Sequence, residues 1–249
     1  MGLFDQVNSS TTVTPEKDNV KGQKREPLAS DIYNLIIKHA YVTKAKSGAM
    51  AVNLLLTTPA DREIKMTEYI TSGDAKGNKT FYEKDKKDGS GKEQFNLPGF
   101  SLIDALSHIV TGKSILSATS EKKSIKLYDF DSKAEKVTEV DMLIDLVGKP
   151  VCGAVLHQIQ DKTAKNAQTG EYEATGKVYA TNVVDKFLSP DERKTSTEIK
   201  NNIPADFAEK WLAKWKDQID DQSTEVKGAG LKGAPIASGD AAPKTNLFD

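Results

Sequence analysis

From Ile32 to Lys46 the chain is rich in Ile, Tyr, Val and Thr, with apolar residues at alternate positions. That period marks an extended strand with one buried face. If the strand is regular, Tyr33, Leu35, Ile37, His39 and Tyr41 share that face. Ser47-Gly48 supplies a turn, and alternation resumes from Met50 to Thr57, with Met50, Val52, Leu54 and Leu56 on one side. Pro59-Ala60-Asp61 breaks it. From Glu63 to Thr71 the pattern sends Ile64, Met66 and Ile70 inward and Lys65, Thr67 and Tyr69 outward. Short turns between such strands predict an antiparallel meander. Lys79–Asp85 reads as a strand leading to a flexible tip at Asp88-Gly89-Ser90-Gly91, so a long hairpin arm is predicted over residues 73–99. After Pro98-Gly99 the period changes: Leu102, Ile103, Leu106 and Ile109 recur at helical spacing over Ser101–Val110, with Ser101 near the N-cap and Gly112 as the stop.

Beyond the helix, Ile125–Phe130 and Val137–Val140 are short strand candidates around a turn at Asp131-Ser132. Val151–Gln160, opened by Pro150, is a longer strand. Thr163–Gly170 is a polar turn region, and Lys177–Phe187 is the last strand, closed by Ser189-Pro190. Pro204–Ile219 predicts a helix, with Pro204 in its first turn and Asp206 at the positive end of its dipole. Phe207, Trp211, Trp215 and Ile219 recur every four residues and form one apolar stripe that docks on the sheet. The fold class is therefore mainly β: five to eight strands in an OB-like antiparallel barrel, a long β-hairpin arm, one internal helix and one C-terminal helix. Turns rather than helices join most strands, which disfavours parallel crossovers.

Four regions are expected: a disordered N-terminal arm (1–29), a β domain (30–190), a helical extension (191–222) and a disordered tail (223–249). The tail is rich in Gly, Ala and Pro, a flexible tether by composition, and ends in Asn246-Leu247-Phe248-Asp249. An apolar pair beside an acid on such a tether suits a partner's pocket rather than a core. Gly2-Leu3-Phe4-Asp5 echoes it at the other end.

Of the 249 residues, 37% are hydrophobic and 29% charged, and the net charge is -1, so an anionic partner would have to meet a local patch. Cys152 is the sole cysteine, which rules out an internal disulfide and suits a reducing, cytoplasmic compartment. No apolar run reaches the length of a membrane span, and Gln6 stands where a myristoylation signal wants Ser or Thr. His39, His108 and His157 are scattered singly, without metal-ligand spacing. Asp88–Lys92 resembles a phosphate loop only superficially, because the first glycine is absent and Glu93 replaces Ser or Thr. Asp129-Phe130-Asp131 reads as an acidic turn before it reads as a metal site. No serine has a nucleophile-elbow context. An enzyme is thus poorly supported, and no cofactor is implied.

Basic residues and aromatics interleave in three places. Lys38, Lys44 and Lys46 lie near Tyr41. Lys76, Lys79, Lys84, Lys86, Lys87 and Lys92 surround Phe81 and Tyr82, diluted by Glu83, Asp85 and Asp88. Lys122, Lys123 and Lys126 precede Tyr128. Lysines that follow phosphates and aromatic faces that stack bases hold single-stranded nucleic acid with little sequence preference. Taken singly, each lysine reads first as an edge-protecting charge and each aromatic as core, and only the three clusters together turn the reading. Together with Lys65, the three clusters make a candidate surface. Tyr69 is its best single stacking candidate, being on the polar side of its strand, and Tyr82 is next.

A β domain with a basic hairpin arm, a Gly/Ala/Pro tether and an apolar-acidic tip resembles the single-stranded DNA-binding proteins, and in layout the phage branch with its long insertion and internal helix. The resemblance spans Ile32 to about Phe187 and the tail residues Asp240, Leu247, Phe248 and Asp249. It implies an OB-fold, sequence-independent binding of single-stranded DNA in phage replication, recombination or transcription, and tail-mediated recruitment of replication proteins or, for members acting as transcription cofactors, a phage RNA polymerase. A homo-oligomer is compatible with it. Two features depart from the pattern: the tail is weakly acidic, and the Trp211/Trp215 helix exceeds a minimal OB barrel. The alternative is a protein–protein adaptor or virion component that uses the Leu-Phe-Asp ends.

Overall fold

The computed structural model describes residues 26–129, 132–166, 168–170 and 172–224. The N-terminal arm before Glu26, the turn residues Phe130 and Asp131, and the tail from Glu225 with Leu247, Phe248 and Asp249 lie outside the described residues. The order of elements is β1 (Asp31–Lys44), β2 (Met50–Thr57), β3 (Glu63–Tyr69), β4 (Phe81–Asp85), β5 (Lys92–Asn96), α1 (Pro98–Thr111), β6 (Ser120–Asp129), β7 (Ala134–Leu143), β8 (Pro150–Lys165), β9 (Tyr172–Leu188), α2 (Ser196–Lys200), α3 (Phe207–Trp215) and β10 (Ile219–Asp221). The protein is mainly β, and almost all of its ladders are antiparallel.

The long strand β1 organises the sheet. Along one edge it pairs with β2, from Ile36 opposite Thr57 to Lys44 opposite Met50. Along the other edge it pairs first with β8, over Asp31–Ile36, and then with β7 at Tyr41 and Val42. A bulge between Ile37 and His39 shifts the register. Leu35 and Ile37 are buried before it, and Ala40 after it. One extra residue reverses which side chains face the core, so His39 and Tyr41 leave the face they were predicted to share with Leu35 and Ile37.

β2 and β3 follow the predicted alternation, with Val52, Leu54, Leu56, Ile64 and Ile70 buried and Lys65, Thr67 and Tyr69 exposed, except that Met50, expected on the inner side, is exposed at the strand's end, beyond the core. Their inner faces, with Val151 and Val155 of β8, Val184 and Phe187 of β9, and Phe100, Ile103 and Leu106 of α1, make the main core. β9 pairs with β8 and comes into contact with β3. The alternating directions make β3 and β9 parallel neighbours, but no ladder joins them among the described residues. A cleft of about 370 Å³ lies there, lined by Arg62–Lys65 and Ala180–Asn182. Glu26–Leu28 crosses this seam: Arg62 donates to the Glu26 carbonyl, and Asn182 bonds both the N–H (2.8 Å) and the carbonyl (2.9 Å) of Leu28.

Several boundaries differ from the sequence pattern. α1 begins at Pro98, not Ser101: proline needs no N–H in the first turn, and extended Leu97 caps it. Gly99 packs so tightly that an added Cβ would lie 2.5 Å from the Tyr69 carbonyl oxygen. β6 and β7 form one long hairpin rather than two short strands, and β8 runs on through Thr163–Lys165, because cross-strand pairing continues where the apolar signal has ended. The C-terminal helix is confined to Phe207–Trp215. Its Trp211 is buried on Ile32, Cys152, Ala154, Leu156 and Leu188, with Nε1 donating to Asp185 (2.7 Å). Ile219 instead belongs to β10, which adds parallel to β8 where β1 has ended.

The predicted elements did not include α2, whose signal is the capping box Thr195-Ser-Thr-Glu198. Glu198 is buried. Burial pushes its carboxyl up, but N–H donors from Thr195 (2.7 Å), Phe207 (2.8 Å) and Asp206 (2.9 Å) outweigh that and leave it below the ordinary value. One carboxylate thus caps α2 and fixes the start of α3. Glu198→Ala should cost about 2–3 kcal/mol, read by urea denaturation at neutral pH. The carboxylate contribution is whole above the ordinary value of 4.5 and is lost as pH falls through the lower folded value, so the difference between variant and native chain should narrow in acid.

Candidate nucleic-acid interface

The outward face of β1–β2–β3 presents a polar and aromatic surface. Register places Tyr41 opposite Asn53 and Asn53 opposite Thr67. In neighbouring rows Thr43, Ala51 and Tyr69 lie in line, as do His39, Leu55 and Lys65. Asn53 donates to Thr43 Oγ1 (2.8 Å) and accepts from Thr67 Oγ1 (2.8 Å), which locks the middle of the face. Tyr69 is 54% exposed. Tyr41 is half-buried, and that burial pushes its phenol up. Lys38 reaches the same face, 3.1 Å from Glu63. The structure therefore brings together Lys38, Tyr41, Lys65 and Tyr69 from three strands, and the bulge in β1 is what delivers Tyr41.

Apart from Lys44 and Lys46, the other predicted residues in the described part lie on two hairpins that extend past the end of the sheet marked by Lys44 and Met50. Lys46 is exposed in the intervening turn, and Lys44 approaches Asp74 (3.9 Å). On the β4–β5 arm, alternation separates Phe81 from Tyr82. Tyr82 stacks on Phe95 across the hairpin, centroids 5.8 Å apart, and Lys84 Nζ lies 5.4 Å from the Tyr82 ring. Lys79 lies 5.4 Å from the Phe81 ring. Lys92 approaches Glu83 (3.8 Å), and Lys86 and Lys87 occupy the tip. On the β6–β7 arm, Lys122 pairs with Asp141 (3.0 Å) and Lys123 with Glu121 (2.7 Å). Lys126 and Tyr128 lie along one face of β6, opposite Val137 and Glu135.

The lysines are thus less uniform than their spacing suggests. Lys38, Lys44, Lys92, Lys122 and Lys123 each lie within ion-pair distance of a carboxylate. Among the described residues, no ion pair engages Lys46, Lys65, Lys86, Lys87 or Lys126. Exposed ion pairs are worth only about 0–1 kcal/mol, so a polyanion can displace those carboxylates at small cost.

A third arm, the far half of β8–β9, was not among the predicted site residues. Lys162 lies directly opposite Lys177, and two rungs along on the same face Gln160 faces Tyr179, whose hydroxyl donates to Gln160 Oε1 (2.7 Å). Tyr172, opposite Lys165, is 72% exposed. Only the pairing register creates the Lys162–Lys177 contact, so sequence spacing could not reveal it. Exposed aromatics on a polar strand (Tyr172, Tyr179) were the available signal. Among the described residues, no group of three or more His, Cys, Asp and Glu is placed to hold a metal, and no helix is long and apolar enough to cross a membrane.

Like charges directly opposite in a ladder are destabilising. Lys177→Glu should therefore stabilise the chain by about 0.2–1 kcal/mol in thermal denaturation at low salt, and the gain should shrink in high salt as screening grows. A scan against protein-family models finds none that matches this chain, and a search of curated proteins likewise finds no match.

Proposed function

We propose that this chain is a non-enzymatic single-stranded DNA-binding protein. The observation that carries the reading is the exposed face on which Tyr69, Tyr41, Lys65 and the Thr43–Asn53–Thr67 hydrogen-bonded row stand together. A single strand laid along this face would stack bases on Tyr69 and Tyr41 and set phosphates against Lys65 and Lys38. The arms would extend the track, with Tyr82, Phe95 and Lys84 on one and Tyr179, Lys162 and Lys177 on another. Stacking tolerates any base, so little sequence preference is expected.

The cyclic order of strands supports an OB-like reading of the fold. β1, β2 and β3 form a meander, α1 follows once the β4–β5 arm has been inserted, and β8 and β9 return to bring β9 beside β3. In OB-folds the face built from the second and third strands binds oligonucleotides, and Tyr69, Lys65 and Asn53 stand on the corresponding strands here. On this reading Leu247, Phe248 and Asp249 recruit a replication or transcription partner, and their loss leaves DNA binding intact.

Titration with poly-dT, followed by intrinsic fluorescence, tests the proposal. Affinity should fall as salt rises, with a log–log slope of about -0.7 per phosphate neutralised, and duplex DNA should bind far more weakly. Tyr69→Ala should weaken binding by about 1–3 kcal/mol with folding unchanged. No binding at low salt would overturn the reading and favour the adaptor alternative, in which the self-paired lysines serve only solvation.

A further inference from the structure

Between the sheet face covered by α3 and the exposed face of β1–β2–β3 lies a small apolar notch of about 260 Å³. Ile36, Pro59, Pro150, Val151 and Pro190 line it. Ile36 is 44% exposed although it sits in the central strand. The three prolines offer no N–H groups, so this rim cannot donate hydrogen bonds from them. We propose that the notch seats Leu3 and Phe4 of the same chain.

Three observations select this occupant. The first is where the preceding chain begins. Glu26 is held by Arg62 and Leu28 by Asn182, and Arg62 lies three residues from Pro59. The N-terminal segment is thus anchored within about 10 Å of the notch along the chain. The second concerns the similar Leu247-Phe248 pair. Its segment starts from Thr224, which Asp161 accepts from at 3.0 Å. Asp161 is ten residues along β8 from Val151, about 33 Å. The spacers, residues 6–25 and 225–246, are of similar length, so the nearer anchor gives the higher local concentration at the notch. The third is charge. Lys149 adjoins Pro150 and Arg193 lies three residues beyond Pro190, and no ion pair engages either among the described residues. They can receive the carboxylate of Asp5 beside the apolar pair, in competition with Asp145, which lies near Lys149, and Asp191, which lies near Arg193.

The notch lies at the end of the proposed DNA face away from Tyr69, beside Lys38, two residues from Ile36, and Lys65, whose partner Leu55 is two residues from Thr57. Ile36 shares a row with Thr57, six residues along β2 from Ala51, which pairs with Tyr69; that is about 20 Å. A segment seated in the notch leaves the Tyr69 end of that face open, and the experiment below reads the notch in the absence of nucleic acid.

Methyl NMR of the full chain with labelled isoleucines tests it. The Ile36 signal is assigned by Ile36→Val. A phenyl ring seated in the notch displaces that signal by its ring current. Phe4→Ala should move the signal by the lost ring-current shift, whereas Phe248→Ala should leave it in place. An unchanged dispersion of the remaining isoleucine methyl signals shows that each variant is folded. An Ile36 signal unmoved by Phe4→Ala overturns the proposal. A signal moved by Phe248→Ala instead, or one that shifts as protein concentration is raised tenfold, assigns the notch to the C-terminal segment or to a second copy and overturns it equally.

Discussion

The molecule depends on the way β1 divides its two edges. One edge carries β2 for most of its length, and the other passes from β8 to β7. A flat strand cannot serve both neighbours and still enclose a core, and the bulge at Ile37–His39 supplies the bend. On one side of it Leu35 and Ile37 enter the core, and on the other Ala40 does. The same residue slip turns Tyr41 to the surface beside Asn53, so the element that closes the core also builds the candidate site.

Around that strand the structure uses its two faces differently. The inner face holds α1 against β8 and β9, and Gly99 allows the helix to rest on the backbone at Tyr69. The outer face is covered by α3 at one end, notched in the middle and open at the other. Glu198, with its backbone donors, positions α3, and Trp211 anchors it. The candidate surface is therefore what remains of the outer face once the C-terminal helices have taken their share.

The electrostatics of that surface come from local arrangement, because the chain as a whole is nearly neutral. Many lysines already face carboxylates, which lowers their effect at a distance without removing it at contact. Specific aromatic positions thus weigh more than charge density. The arms add aromatics where no core lies beneath them: Tyr82 on Phe95, and Tyr179 pinned by Gln160.

Much of this architecture was legible in the order of residues. Strict alternation in β2 and β3 predicted which side chains face out, and hence Tyr69 and Lys65, because a two-residue period is a local property of the backbone. The Phe207–Trp211–Trp215 stripe predicted a docked helix for the same reason at helical spacing. What stayed hidden needed a partner strand. The ends of β6, β7 and β8 are set by cross-strand hydrogen bonds between polar segments. Lys162 meets Lys177 only through pairing register, and β10 forms only because β8 has an open edge. Which lysines are neutralised also depends on neighbours distant in sequence, as Lys122 and Asp141 show. By itself the sequence determined the local periods, the turns and the outward side of each regular strand. The tertiary structure alone decided the bulge that reverses β1 and the meeting of Tyr41 with Tyr69, because both arise from fitting one strand to several neighbours at once.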